Sequence, residues 1–301
     1  MIFMNYPIVN VTTKDKLILH GLLIESKDSN KIVINIHGSA SNFYEEPFFE
    51  NMAIAFPDMG FSWLSINNRG NSVLTHTWQK TGSAVEKFED CLLDIDAWVE
   101  FAIKKGYSTI ILQGHSLGTE KIVYYMNKGK YKTKVAGIVL LGFSDSFGCS
   151  HKFMDKTNSK KELFDEAENL IKNGKGEQFL TTQWYSHAGI LPKSAESFIN
   201  QFSDNSELSK AFPFRLKKLD FYSKIKIPIL AVISDNDKFT NADVVREGSE
   251  HITMSVKESV ELLKKSNSRT KAVIIPKTNH DYENKEEELT KVVKDFLTLN
   301  F

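Results

Sequence analysis

The chain has 301 residues, 41% of them hydrophobic, which is enough for one large α/β domain or two smaller ones around a sizeable core. Its 38 Lys and Arg balance its 38 Asp and Glu, and the basic residues are dispersed, so there is no charge excess to attract nucleic acid or a membrane surface. Cys91 and Cys149 lack C-x-x-C spacing, which argues against a disulfide framework or a zinc site. No stretch reaches the roughly 18 consecutive apolar residues of a membrane span.

Read in chain order, the start "MIFMNYPIVNVTTKDK" has an apolar beginning but neither a basic n-region nor a long apolar run, so no signal peptide is expected. A cytoplasmic, reducing location follows as the default. "LILHGLLIES" (17–26) reads as the second arm of an N-terminal hairpin turned at Lys14–Asp15. "KIVINIHG" (31–38) is a near-continuous apolar run, as in a strand buried on both faces. A helix is expected over 45–56 and a strand over 61–70, ended by Asn and Gly. Between 86 and 106, apolar residues recur at Phe88, Cys91, Leu92, Ile95, Trp98, Val99, Ala102 and Ile103, which is helical spacing closed by Lys-Lys-Gly. Strands at 108–114 and 135–143 flank a helix at 117–129.

The rhythm then breaks. Residues 144–224 are polar and helix-like, with helices expected over 160–176, ending at Gly174, and over 194–204. Alternation resumes with a strand at 225–235, a helical stretch through 265, a strand at 270–277 and a terminal helix at 285–299. Strands alternating with helices imply a mostly parallel, doubly wound sheet. An insertion after one strand sits over the carboxyl edge of such a sheet, where ligands bind. The expectation is therefore one catalytic domain over 1–301 with a helical cap at 144–224.

Ser116 lies in "QGHSLG" between an expected strand and an expected helix. A turn this tight strains the central residue and needs glycine two positions away on each side, which Gly114 and Gly118 supply. The serine hydroxyl then stands at a helix N-terminus. It needs a base, and the base needs an orienting acid. Asp235 and Asp237 follow the strand "IPILAVIS", and His280 follows "KAVIIP", both at strand ends. Asp237 is the expected acid, and Asp235 is the alternative, its other role being to hold the loop through an Asx-turn. His280 is the expected base. His251 reads as a solvated helix residue, and His37, His115, His151 and His187 as structural. The oxyanion of a tetrahedral intermediate needs donors, for which the amides of Leu117 and of Ser39, in "HGSASN", are expected.

The pieces "IHGSASN", "NNRGNS", "LQGHSLG", "ISDNDKFT" and "IPKTNHDY", in this order and spread over nearly the whole chain, resemble the α/β-hydrolase superfamily. Individual stretches also resemble feruloyl esterases and hydrolases of siderophore esters. Two positions depart from the common pattern: Asn67–Asn68 stands where many relatives carry Asp before Arg-Gly, and Ser234 where many carry Gly. The resemblance implies an eight-stranded, mostly parallel sheet and a Ser116, Asp237 and His280 triad with neither cofactor nor metal. It implies a carboxylesterase acting on a small or medium-sized molecule, and its residues serve equally an amidase or peptidase, a thioesterase or a carbon–carbon bond hydrolase. A catalytically idle scaffold that binds a ligand is the reading from a different class. No nucleic-acid partner is expected, and a homodimer is compatible with these features. Phe179 and Trp184 are the expected substrate-binding residues. Together with Phe147, Phe153, Tyr185 and Phe198 they either line an apolar pocket or dock the cap on its sheet.

Overall fold

The computed structural model describes residues 7–76, 79–186, 189–237 and 254–301. Eight strands form one sheet: β1 (Ile8–Thr12), β2 (Ile18–Ile24), β3 (Lys31–Ile36), β4 (Ser62–Ile66), β5 (Thr109–His115), β6 (Val135–Leu141), β7 (Ile229–Ser234) and β8 (Thr270–Ile275). Their order is β1-β2-β4-β3-β5-β6-β7-β8. β2 runs antiparallel to β1 and β4, and every later pairing is parallel.

The alternation of side chains along each strand builds two cores. Ile32, Ile34, Ile36, Leu112, Ile138 and Leu140 point to one face. There they meet α2 (Cys91–Lys104) and α3 (Leu117–Lys128) through Ile95, Trp98, Val99, Ile122 and Val123, and α8 (Val256–Ser266) through Leu263. Val33, Trp63, Ile111, Val139, Leu141 and Val232 point to the other face. There α1 (Phe49–Asp58) brings Met52 and Phe56, and α9 (Glu286–Asn300) brings Leu289, Val293 and Phe296. A strand covered on both faces can be apolar throughout, which is why the buried residues 32–36 are apolar except for Asn35.

Residues 144–224 join β6 to β7, which are neighbours in the sheet. They hold α4 (Ser146–Lys156), α5 (Lys160–Lys172), α6 (Ala195–Phe202), α7 (Glu207–Ala211) and a two-residue ribbon, Tyr185–Ser186 with Gly189–Ile190. α4 and α7 are not legible as separate periodic runs, and the ribbon pairs strands in a stretch expected to be helical. The segment has its own core, with Phe147, Met154, Leu163, Trp184, Phe198, Phe202 and Leu208 packed on Phe88, Leu117 and Tyr124. Element ends differ from expectation by up to four residues, at the start of α1 (Phe49 against 45), the end of β4 (Ile66 against 70) and the start of β7 (Ile229 against 225). The expected helix from 86 begins as a 3₁₀ turn, Phe88–Asp90, before α2. Among the described residues no helix is long and apolar enough to cross a membrane.

Candidate active site

Ser116 occupies the one-residue turn between β5 and α3, with φ 53° and ψ −125°. Such a conformation is costly for a residue with a side chain and persists only when its surroundings impose it. Here the imposing contacts are backbone. A Cβ on Gly114 would lie 2.6 Å from the Gly118 carbonyl oxygen, and one on Gly118 would lie 2.3 Å from the Ile36 carbonyl oxygen. The Ser116 N–H donates to the Leu141 carbonyl at 3.0 Å, and Thr119 holds the Ser116 carbonyl through its N–H and its hydroxyl. Leu117 opens α3. The 37–39 loop passes close by, since a Cβ on Gly38 would lie 2.9 Å from Ser116 Cβ.

His37 shapes that loop. The Asn68 N–H donates to its Nε2, so its Nδ1–H donates to the Gly38 carbonyl at 2.7 Å. Burial, reinforced by the charge of Lys121, pushes its pKa down to about 3, so it stays neutral.

His280 comes from the loop after β8. Its Nδ1 is 2.8 Å from Asp237 Oδ2, and both side chains are buried. Asp235 is exposed and instead accepts the Lys277 N–H at 2.8 Å. Of the two candidate acids, Asp237 is thus the one that reaches the imidazole. The His280 loop is tightly wound, with Lys277, Tyr282 and Asn284 all at positive φ. The Asn279 side chain accepts from the Asp281 and Glu283 amides, and the buried Tyr282 hydroxyl donates to the Val232 carbonyl.

Two residues against His280, Gly142 and Tyr282, escaped the sequence reading, and His115 was read as structural beside the site. Gly142, at φ 55°, leaves room for the imidazole: a Cβ there would lie 2.9 Å from His280 Cε1. Tyr282 accepts the Gly142 N–H at 2.7 Å. His115 was expected to be structural, and its Nε2–H donates to the His280 carbonyl at 3.0 Å while its ring lies 4.8 Å from that of His280. Burial, reinforced by the charge of His280, holds the His115 pKa down at about 4. The glycine at the end of β6 and the tyrosine two residues beyond His280 were the available signals.

Ser116, Leu117, Ser39 and His280 line one cavity of about 410 Å³. The segment between β6 and β7 supplies Ser144, Ser146, Trp184, Lys193, Phe202 and Leu208 to its walls. Two buried acids stand at it or just behind it. Glu46, bonded to Asn35, lines the cavity, and Glu120 takes the Ser146 N–H at 2.9 Å; burial pushes the pKa of each up to about 8. Trp184 lines the cavity as expected of it, but Phe179 does not. Its backbone bridges Ser194, and its side chain remains 38% exposed. Phe147 and Phe198 belong to the inserted segment's core. His151 is tied to the Phe202 carbonyl at 2.8 Å. The Tyr185 side chain, His187 and His251 lie outside what is described. Among the described residues no group of three or more His, Cys, Asp or Glu is arranged to hold a metal ion.

A family model described as "Protein of unknown function (DUF1749)" matches residues 7–299. No curated protein matches the chain. Among solved structures, the chain is similar to Est1E of Butyrivibrio proteoclasticus with ferulic acid bound, at 18% identity and TM-score 0.63, covering 96% of this chain and 98% of that one. It is similar to DcsB in complex with its substrate analogue, at 14% identity and TM-score 0.67, covering 98% and 99%. It is also similar to the Pyrococcus furiosus esterase Pf2001, at 18% identity and TM-score 0.59, covering 98% and 91%. The fold is that of the α/β-hydrolases.

Proposed function

The chain belongs to the DUF1749 family, described as proteins of unknown function, and we propose that it is a serine hydrolase that cleaves a carboxylic ester of a small or medium-sized molecule. The observation that carries this reading is the 2.8 Å hydrogen bond between buried Asp237 and His280 Nδ1, beside the cavity that the strained Ser116 lines. A carboxylate on Nδ1 fixes the tautomer in which Nε2 is the basic nitrogen, and it stabilises the imidazolium that forms.

In this mechanism His280 Nε2 takes the Ser116 proton as Oγ attacks the acyl carbon. The oxyanion is met by the Leu117 N–H, at the positive end of α3, and by the Ser39 N–H. The leaving alcohol departs with the proton from His280. Water, deprotonated by the same nitrogen, then releases the acid from Ser116. The close approach of Gly38 to Ser116 supports the oxyanion assignment. The choice of an ester is supported by the esterase Pf2001 among the similar structures and by the ferulic acid bound to Est1E.

Residues 144–224 act as the cap in this reading. Their contribution of Trp184, Phe202 and Leu208 to the cavity supports a role in choosing the substrate. The test is hydrolysis of a series of p-nitrophenyl esters by the parent and by Ser116→Ala. The parent should turn them over, and the variant should lose about 10³-fold or more in kcat with its melting temperature little changed. An alanine variant hydrolysing at near the parental rate would overturn the reading.

A further inference from the structure

The acyl transfer leaves the buried cation of the cavity wall unused. Lys193 lines the cavity, is 3% exposed and is the one Lys or Arg among the described residues of its walls. Its Nζ donates to the Ser83 carbonyl at 2.7 Å and to Gln201 Oε1 at 2.8 Å. Both acceptors are neutral. An ammonium has three donors, so one remains for a ligand.

Among the described residues no carboxylate forms an ion pair with Lys193. The carboxylate that most favours its charge is Glu86, which already pairs at 2.8 Å with Lys121. Lys121 is also buried, and its other acceptor is the neutral Asn68 amide oxygen. Two buried ammoniums thus share one carboxylate. Burying an ion without a counter-charge costs several kcal/mol, and burial does lower the Lys193 pKa, to about 8.

The rest of the surroundings are aromatic, with one further donor. The Trp184 and Phe202 rings lie 5.6 and 5.7 Å from Nζ, and Trp184 Nε1 is buried without an acceptor among the described residues. The acids of the cavity wall lie elsewhere: Glu45 and Glu46 follow β3, and Asp281 and Glu283 follow β8. The charge of the cavity is therefore divided, cationic on the inserted segment and acidic on the loops of the sheet.

We propose that Lys193 is a specificity-determining residue that binds a carboxylate carried by the substrate away from the scissile bond, which makes an ester with a free acid group the preferred substrate class. The word substrate rests on the hydrolase reading, but the binding does not, and it is measured without turnover. The probes are monoethyl adipate, with one carboxylate and one ester, and the uncharged diethyl adipate, each titrated calorimetrically into Ser116→Ala protein.

The anion should bind about 10- to 100-fold more tightly, the range for a charge-assisted hydrogen bond in a desolvated site. Adding Lys193→Met should bring the ratio close to one, and Lys193→Arg should retain most of it. No preference for the anion in the Ser116→Ala protein overturns the proposal, with no Lys193 variant needed. An equal effect of Lys193→Met on both probes also overturns it, and reduces Lys193 to a tie between the inserted segment and Ser83. Paired 4-nitrophenyl esters with a carboxylate or a methyl ester on the acyl chain, and paired 4-carboxyphenyl and 4-methoxycarbonylphenyl hexanoates, then report which half of the substrate carries the charge. Absence of turnover with every ester would remove the hydrolase reading and leave the binding result standing.

Discussion

The two walls of the cavity are built on different principles. On the sheet side, backbone does the positioning: Ser116 is clamped by Gly114 and Gly118, and His280 is seated over Gly142. A methyl group at any of these glycines would meet atoms at 2.9 Å or less. On the inserted side, side chains do the work, through Trp184, Phe202 and Leu208 in an aromatic and aliphatic cluster. Backbone geometry tolerates almost no change, whereas a cluster can repack. The first wall is therefore fixed and the second adaptable, the division that the proposed hydrolase would use for chemistry and for selection among substrates.

The contrast is broken most forcefully at the acid. Asp237→Asn should lower kcat by about 10³- to 10⁴-fold, because an amide bonded to Nδ1 favours the wrong tautomer and cannot stabilise an imidazolium. Asp235→Asn removes only an acceptor for the Lys277 amide and should change kcat by a few-fold. Kinetics on one activated ester decide between them, and a reversed ranking moves the acid to Asp235.

A smaller effect is expected at Gly142→Ala. The new methyl would press on His280 Cε1 and Nδ1, at 2.9 and 3.0 Å. A displacement of about 1 Å can cost on the order of 10²-fold in rate. kcat should fall by that order while the substrate profile stays parallel to that of the parent. Unchanged turnover would show that the sheet-side wall is less rigid than described.

The inserted wall should respond in kind rather than in scale. Trp184→Ala should change the relative kcat/KM of short and long acyl esters by about 1–3 kcal/mol. Phe179→Ala, outside the cavity, should leave that ratio within about 0.5 kcal/mol. Parallel profiles for both variants would remove the inserted segment from substrate choice.

The gentlest probe is pH. Glu46 keeps its proton to about pH 8 in the folded chain, against an ordinary value of 4.5. The stability it contributes is complete below 4.5 and is lost as the pH rises towards 8. Glu46→Gln has no such proton to lose, so its melting temperature should gain on the parent by several degrees between pH 5 and 8. His37 and His115 act oppositely, losing stability as the pH falls from 6.5 towards about 3 and 4, and they are common to both proteins. A difference that does not vary with pH would place Glu46 in a more polar setting.

What could be read from the sequence follows the same division. Strands buried on both faces announce themselves as apolar runs, and a serine between two glycines at a strand-to-helix junction has few other uses. That Ser116, Asp237 and His280 come to one edge of the sheet could be read because each follows a strand. Gly142 could not, since its role is to be absent beneath a histidine 138 residues away. Lys193 lies in a polar stretch where most lysines are solvated, and only packing reveals that this one is buried. Phe179 and Trp184 are equally apolar in sequence, and the bridge from Phe179 to Ser194 is a long-range pairing without a local signal.

The central claim is that Ser116 is a nucleophile activated by His280. The most direct test is treatment of the intact chain with a fluorophosphonate, followed by mass spectrometry of the peptide that contains residues 111–121. The account predicts a single phosphonyl adduct on Ser116 that is abolished in Ser116→Ala and strongly slowed in an alanine variant of His280. An unmodified Ser116 in folded protein, or labelling that persists at the same rate without His280, would contradict it.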